Sequence, residues 1–158
     1  MICLSGSPLT WVESFTYLGF SIATGKQHND TEEIEKRLRE LRIRANMVAA
    51  RFYNASIDVK RLIFKTYFSQ IYCLGLWIPG TAKLNSEAKV TLNNCLQKVF
   101  GIKGIDSMSQ EFVRNGFLTW GELRRKSMHS LLERVASCPN EIIVSLFNSK
   151  TFYIIILL

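Results

Sequence analysis

Thr31-Glu32-Glu33-Ile34-Glu35-Lys36-Arg37-Leu38-Arg39-Glu40-Leu41-Arg42-Ile43-Arg44-Ala45-Asn46-Met47-Val48-Ala49-Ala50-Arg51-Phe52-Tyr53 is the stretch that decides the fold of this chain. Ile34, Leu38, Leu41, Ala45, Val48 and Phe52 follow one another at steps of four, three, four, three and four. That is the a/d spacing that lays apolar side chains along one seam of a helix. Asp30 is placed to cap the helix, with Glu33 three residues on to reach back to the backbone at Asp30. Glu32 and Glu35 sit where the helix dipole favours negative charge. Arg37, Arg44 and Arg51 recur at steps of seven beside the seam, so three guanidinium groups line one flank, with Lys36, Arg39 and Arg42 elsewhere on the exposed surface. Two readings of that flank stand side by side: a solvated helix face, or a set of phosphate contacts.

Upstream, Ser14-Phe15-Thr16-Tyr17-Leu18-Gly19-Phe20-Ser21-Ile22 is rich in aromatic and β-branched residues. Its alternation of Phe15 and Tyr17 with Thr16 and Leu18 suits a strand or a hairpin arm ending at Gly19 or Gly25. Downstream, the chain reads as further helices. Ser56 caps a second, which carries Ile57, Phe64, Tyr67, Phe68, Ile71, Tyr72 and Leu74 and holds Lys60, Arg61 and Lys65 open to solvent, until Gly75 and Trp77-Ile78-Pro79-Gly80 stop it. A third spans about Ser86 to Phe100, with Leu92, Cys95, Leu96, Val99 and Phe100 on one face and Gly101 as its C-terminal cap. Gly101-Ile102-Lys103-Gly104 has the form of a Gly-x-x-Gly clamp for a nucleic-acid backbone. A helix-ending glycine followed by a turn accounts for it, and no candidate strands lie nearby. Thr119 and Glu122 form a capping box for another helix, with Leu123, Leu131, Leu132 and Val135 inward, Arg124, Arg125 and Lys126 exposed as a second basic cluster, and Cys138-Pro139 at its end.

The 158 residues suit one domain with a sizeable core or a piece of a larger protein. A formal charge of +7 favours an anionic partner, with nucleic acid ahead of a membrane surface because no long apolar helix is present. Cys3, Cys73, Cys95 and Cys138 form no Cys-x-x-Cys pair, and neither His28 nor His129 has ligands at zinc spacing, so reduced thiols and no metal site are expected. With no signal peptide and no membrane span, the reading is a soluble intracellular protein of cytoplasm or nucleus. The tail Thr151-Phe152-Tyr153-Ile154-Ile155-Ile156-Leu157-Leu158 has high β propensity and no charge. It reads as foreign to the fold, as from a truncated or misspliced frame; the alternative is a buried last strand.

Four segments in order carry a family resemblance: Phe15 to Ile22; the helix Glu32 to Arg51; Leu62-Ile63-Phe64-Lys65-Thr66-Tyr67-Phe68 leading to Ile71-Tyr72-Cys73-Leu74-Gly75-Leu76-Trp77; and Leu92-Asn93-Asn94-Cys95-Leu96-Gln97-Lys98-Val99-Phe100-Gly101-Ile102. Over about residues 12 to 104 the chain resembles the region after the catalytic centre of reverse transcriptases from non-LTR (LINE-type) retrotransposons. There a Phe-x-Tyr-Leu-Gly strand closes the palm, a basic helix opens the thumb, and an apolar helix and a helix ending in Leu-Gly-Ile or similar follow. Two departures stand out. Cys73-Leu74-Gly75-Leu76-Trp77 shortens the family's Gly-to-Trp spacing, and the paired palm aspartates that hold two magnesium ions for phosphoryl transfer are missing, since the aspartates here are Asp30, Asp58 and Asp106 alone.

The resemblance implies a mainly α fold, a thumb-like helical bundle preceded by a short β-strand or hairpin. The expected divisions are a palm-end β element at 1–25, a thumb-like helical region at 26–104, a further helical region at 105–150 and the apolar tail at 151–158. The missing paired aspartates leave no catalytic residue, no metal site and no cofactor to expect here, magnesium belonging to the parent enzyme. By resemblance Tyr17, Leu18 and Gly19 lie near the primer end, and Arg37, Arg44 and Arg51 face the phosphates of an RNA/DNA duplex backbone. Tyr67, Phe68 and Tyr72 are expected in the core rather than stacked on bases. The alternative is a protein–protein interaction module, in which the 34–52 seam pairs with a partner helix or a second copy. The two part over that seam, which is covered within the chain in the first and exposed in the second.

Overall fold

The computed structural model describes residues 3–4, 7–8, 12, 14–17, 20–23, 30–71, 74, 82–102 and 107–148. Among them the chain is mainly helical, with α1 (Asp30–Arg51), α2 (Ile57–Tyr67), α3 (Ala82–Phe100), α4 (Met108–Arg114), α5 (Trp120–Ala136) and α6 (Glu141–Phe147). Ahead of them run two short antiparallel backbone pairs, β1 (Cys3–Leu4) with β2 (Ser7–Pro8) and β3 (Ser14–Tyr17) with β4 (Phe20–Ala23), the second in the register Ser14 to Ala23 and Tyr17 to Phe20. The helical bundle is what organises the core.

The α1 seam is closed inside the chain. Ile34, Leu38, Leu41 and Ala45 are buried and Val48 packs partly against them, with α3 as the main neighbour of α1. Phe52, the last seam position, is 39% exposed, because the helix ends at Arg51 and the chain turns through residues 52–54 before α2. The cap expected from the Asp30 side chain lies outside what the structure describes. Asp30 is itself the first helical residue, and Glu33 pairs with Arg37 at 2.7 Å, a buried carboxylate meeting the cation one turn ahead.

On α3 the buried set is Leu84, Ala88, Thr91, Leu92, Cys95, Leu96 and Val99. Steps of four, three, one, three, one and three place two adjacent stripes on one wide face, which lets this helix touch α1 together with α2 and α5. It begins at Ala82, four residues ahead of the sequence expectation at Ser86. Its end is a Schellman cap: Gly101 takes φ +68°, and the Ile102 N–H donates to the Gln97 carbonyl at 3.0 Å. The Gly-x-x-Gly reading thus resolves, at Gly101, into a helix terminus; Lys103 and Gly104 lie outside the described residues. Between α1 and α3, the Cys95 thiol donates to the Leu41 carbonyl at 3.7 Å.

Ser56 caps α2 through its hydroxyl, which accepts from the Val59 N–H at 3.5 Å. The helix stops at Tyr67, well before the expected end beside Leu74. The Thr66 hydroxyl donates to the Leu62 carbonyl at 2.9 Å, a back-bond that weakens the last turn, and the chain bends at Ser69 so that Phe68, Ile71 and Leu74 turn into the core. Tyr72, Cys73 and the Gly75–Gly80 stop signal lie outside the described residues. Phe64 is the centre of an aromatic cluster, with ring centroids 4.8 Å from Phe68, 4.6 Å from Phe117, 6.1 Å from Phe100 and 6.3 Å from Phe112. Phe68 is accordingly core, whereas Tyr67 is 53% exposed.

Two short helices are absent from the sequence reading. One is α4, ended by a second Schellman cap at Gly116 (φ +68°), with Phe117 N–H to Phe112 carbonyl at 2.8 Å and Gly116 N–H to Val113 carbonyl at 3.0 Å. This cap delivers Phe117 to the aromatic cluster. The other is α6, opened by the Asn140 side chain, whose oxygen accepts from the Ile142 and Ile143 N–H groups at 3.0 and 3.3 Å. At the head of α5 the Thr119 N–H donates to Glu122 at 2.7 Å, and Trp120 and Leu123 are buried. Leu131, Leu132 and Val135, expected inward, are only half-buried, on a helix that packs on both α3 and α6. The tail 151–158 lies outside the described residues.

Candidate nucleic-acid interface

Helical spacing sets Arg37, Arg44 and Arg51 on one flank of α1, and the same spacing sets Glu33 and Glu40 among them. Arg37 bridges both carboxylates, at 2.7 Å to Glu33 and 3.3 Å to Glu40, and Arg44 reaches Glu40 at 3.4 Å. The flank is therefore an ion-pair ladder along most of its length. Its members differ sharply in access. The Arg37 side chain is 16% exposed and that of Arg44 is 43% exposed, while Arg51, in the last turn, is exposed and has no partner among the described residues. Burial pulls the Arg37 guanidinium down, but Glu33 and then Glu40 outweigh it, so the group is held above its ordinary value. Arg37 is thus a half-buried cation held by two carboxylates of α1, and the exposed arginines of this flank are Arg44 and Arg51, with Arg39 exposed further round.

The remaining sequence-derived positions do not join that face. Tyr17 is the last residue of β3, paired through the backbone with Phe20, and Leu18 and Gly19 lie outside the described residues. Arg42, exposed as expected, also ties α1 to α3 through Glu87 Oε1 at 2.8 Å and the buried Thr91 hydroxyl at 3.0 Å. Arg124 likewise donates to Asn85 Oδ1 on α3 at 3.2 Å, leaving Arg125 and Lys126 as the exposed members of the second basic cluster. The neutralising role of Glu33 and Glu40 was available in the sequence, because each stands three or four residues from an arginine of the stripe.

Magnesium, which the resemblance implies for the parent enzyme, meets no gathered aspartates among the described residues. Asp30 opens α1, Asp58 on α2 pairs with Arg61 at 3.1 Å, and Asp106 lies outside the described residues. No group of three or more His, Cys, Asp or Glu among the described residues is gathered to hold a metal ion. Nor, among them, is any helix long and apolar enough to cross a membrane. In comparisons with known proteins, no family model, no curated protein and no solved structure matches this chain.

Proposed function

We propose that this chain is a thumb-like portion of a non-LTR reverse transcriptase that grips a nucleic-acid duplex by its phosphates and performs no chemistry of its own. The observation that carries the reading is the ordered set of four segments over about residues 12 to 104, from the Phe-x-Tyr-Leu-Gly run, through the basic helix, to the helix ending Phe100-Gly101-Ile102. The closed seam of α1 favours it over the interaction module, since Ile34, Leu38, Leu41 and Ala45 are already covered by the chain's own helices. In this reading the short β element is the palm edge, with Tyr17, Leu18 and Gly19 toward the primer, and the net charge of +7 supplies long-range attraction to the duplex. Arg44 and Arg51 make the phosphate contacts, and Arg37 holds the ladder that positions Arg44. The parent reaction is RNA-directed DNA synthesis, for which this chain has no paired carboxylates.

The test is the salt dependence of binding to an RNA/DNA duplex. Replacing Arg44 and Arg51 with glutamine is expected to flatten the log-log slope by about 0.9 per lost contact, roughly 2 in all, with affinity falling alike for unrelated sequences. Replacing Lys83, Lys89 and Lys98 removes three charges from α3, one more than the Arg44, Arg51 variant loses, and is still expected to change the slope less. Equal losses in both variants, or no binding by the natural sequence at low salt, would sink the proposal.

A further inference from the structure

A concave surface lies between the end of α2 and one face of α5, with a cavity volume of about 640 Å³. That size is in the range of small-ligand sites. Its floor is apolar, from Ile71, Leu74 and Phe117, with Leu123 and Leu131 rising on the α5 side. Lys65 stands on one wall, and Lys126 and Arg134, eight residues apart on the same face of α5, stand on the other. Among the described residues that line it, none is acidic.

Half of the chain's ten arginines are compensated by carboxylates, which sets the cleft's cations apart from them. Arg37, Arg42, Arg44, Arg61 and Arg114 each meet a carboxylate. In the cleft, Lys65 and Lys126 have no partner among the described residues, and Arg134 is steadied only by its own helix, donating to the Ser130 carbonyl at 3.3 Å and the Ser130 hydroxyl at 3.0 Å. Lys65 and Arg134 occupy the last turns of their helices, where carbonyl ends offset part of their charge. Lys126 is mid-helix and has no such offset. Cations left uncompensated on low-dielectric concave walls focus a positive potential, and the hydroxyls of Ser127 and Ser130 beside them add donors for an oxyanion.

We infer that the α2–α5 cleft is a binding site for a nucleotide-sized organic monophosphate, its phosphate between Lys65, Lys126 and Arg134 and its uncharged body over Leu131 and Phe117. Phosphate rather than carboxylate is favoured because three cations face a group that carries up to two charges and three acceptor oxygens. The inference does not depend on the family reading: it needs neither a duplex nor the α1 flank.

The experiment is calorimetric titration of the full chain with adenosine monophosphate, adenosine and inorganic phosphate in low salt. The monophosphate is expected to bind at least tenfold tighter than either half. The double variant Lys126→Gln, Arg134→Gln, at two exposed positions, is expected to lose roughly tenfold per cation removed while keeping its circular dichroism. Leu131→Asn should weaken the monophosphate and leave inorganic phosphate unchanged. Equal binding of adenosine and the monophosphate, no binding by the natural chain, or an equal loss in the Lys83, Lys89, Lys98 control would overturn the site. Loss of duplex affinity in the Arg44, Arg51 variant with monophosphate binding intact would separate the two surfaces.

Discussion

Replacing Phe64 tests the core where its contacts are densest. The side chain is 1% exposed, and its ring meets four other phenylalanines, two at centroid distances of 4.8 and 4.6 Å and two edge-on at 6.1 and 6.3 Å. Those partners come from the C-cap of α2, from α3, from α4 and from the turn after α4, so one residue joins four parts of the chain. Phe64→Leu keeps most of the apolar burial but gives up the ring pairings, each worth about 0.5–1.5 kcal/mol and partly replaced by aliphatic contact; the expected loss is about 1–2 kcal/mol. Phe64→Ala also leaves a cavity, and its expected loss is about 3–5 kcal/mol. In a chain of this size that second loss lowers the thermal midpoint by roughly 6–20 °C. Urea unfolding followed by circular dichroism measures both, with an unchanged slope expected because the surface exposed on unfolding is the same. Tyr67→Ala, three residues on and 53% exposed, is the control, expected within about 0.5 kcal/mol of the natural sequence. A cost below about 1.5 kcal/mol for Phe64→Ala, or one matched by Tyr67→Ala, would refute the aromatic cluster as the centre of the core.

Three glycines and one carboxylate give sharp outcomes. Gly101 and Gly116 both sit at φ +68° with nothing within 4 Å of an added Cβ, so alanine at either is expected to cost about 1 kcal/mol from backbone strain alone, and the two losses should add in thermal melts. Gly121, in the first turn of α5, is the opposite case: an added Cβ meets only Arg125 Nη1 at 3.7 Å, and Gly121→Ala is expected to stabilise by about 0.5–1 kcal/mol in the same assay. Glu122 is held below its ordinary value of 4.5, first by the Thr119 N–H and then by the Thr119 hydroxyl. A lowered folded-state value means its contribution is present above the unfolded value and is lost as pH falls through the folded one. Stability of the natural sequence should therefore drop more steeply below pH 4.5 than that of Glu122→Gln, and parallel curves would remove the capping carboxylate from the account.

Legibility varied with length and with what each signal depends on. The seam of α1 and the Gly101 cap were readable because they are local: a side chain's position on a helix and a glycine's backbone freedom need no distant partner. At seven residues each, α4 and α6 are too short for apolar periodicity to register, though Gly116 and Asn140 marked their ends. The run from Phe64 to Leu74 looked like continuous helix because an apolar sequence does not say whether it is buried as a helix or as a turn folded into the core. For the arginine flank, counting cations every seven residues overlooked the carboxylates at intervening positions, which turn Arg37 inward. The α2–α5 cleft had no sequence signature, because Lys65 and Lys126 meet only through tertiary packing.

Cys95 gives the chain a clock. Burial pushes its thiol up to about 11, with Arg42 and Lys98 offsetting only part of the effect, and the sulfur is shut between α1 and α3. At neutral pH almost none of it is thiolate, and no reagent reaches it while the two helices are in contact. Alkylation must wait for the helices to part, so its rate divided by that of an unstructured thiol measures how often the largest helix–helix contact opens. Half-buried Cys138, beyond the end of α5, reacts without that wait and serves as the reference within the same molecule. A ligand at either basic surface that tightens the bundle would be read as a slower tick at one sulfur and no change at the other.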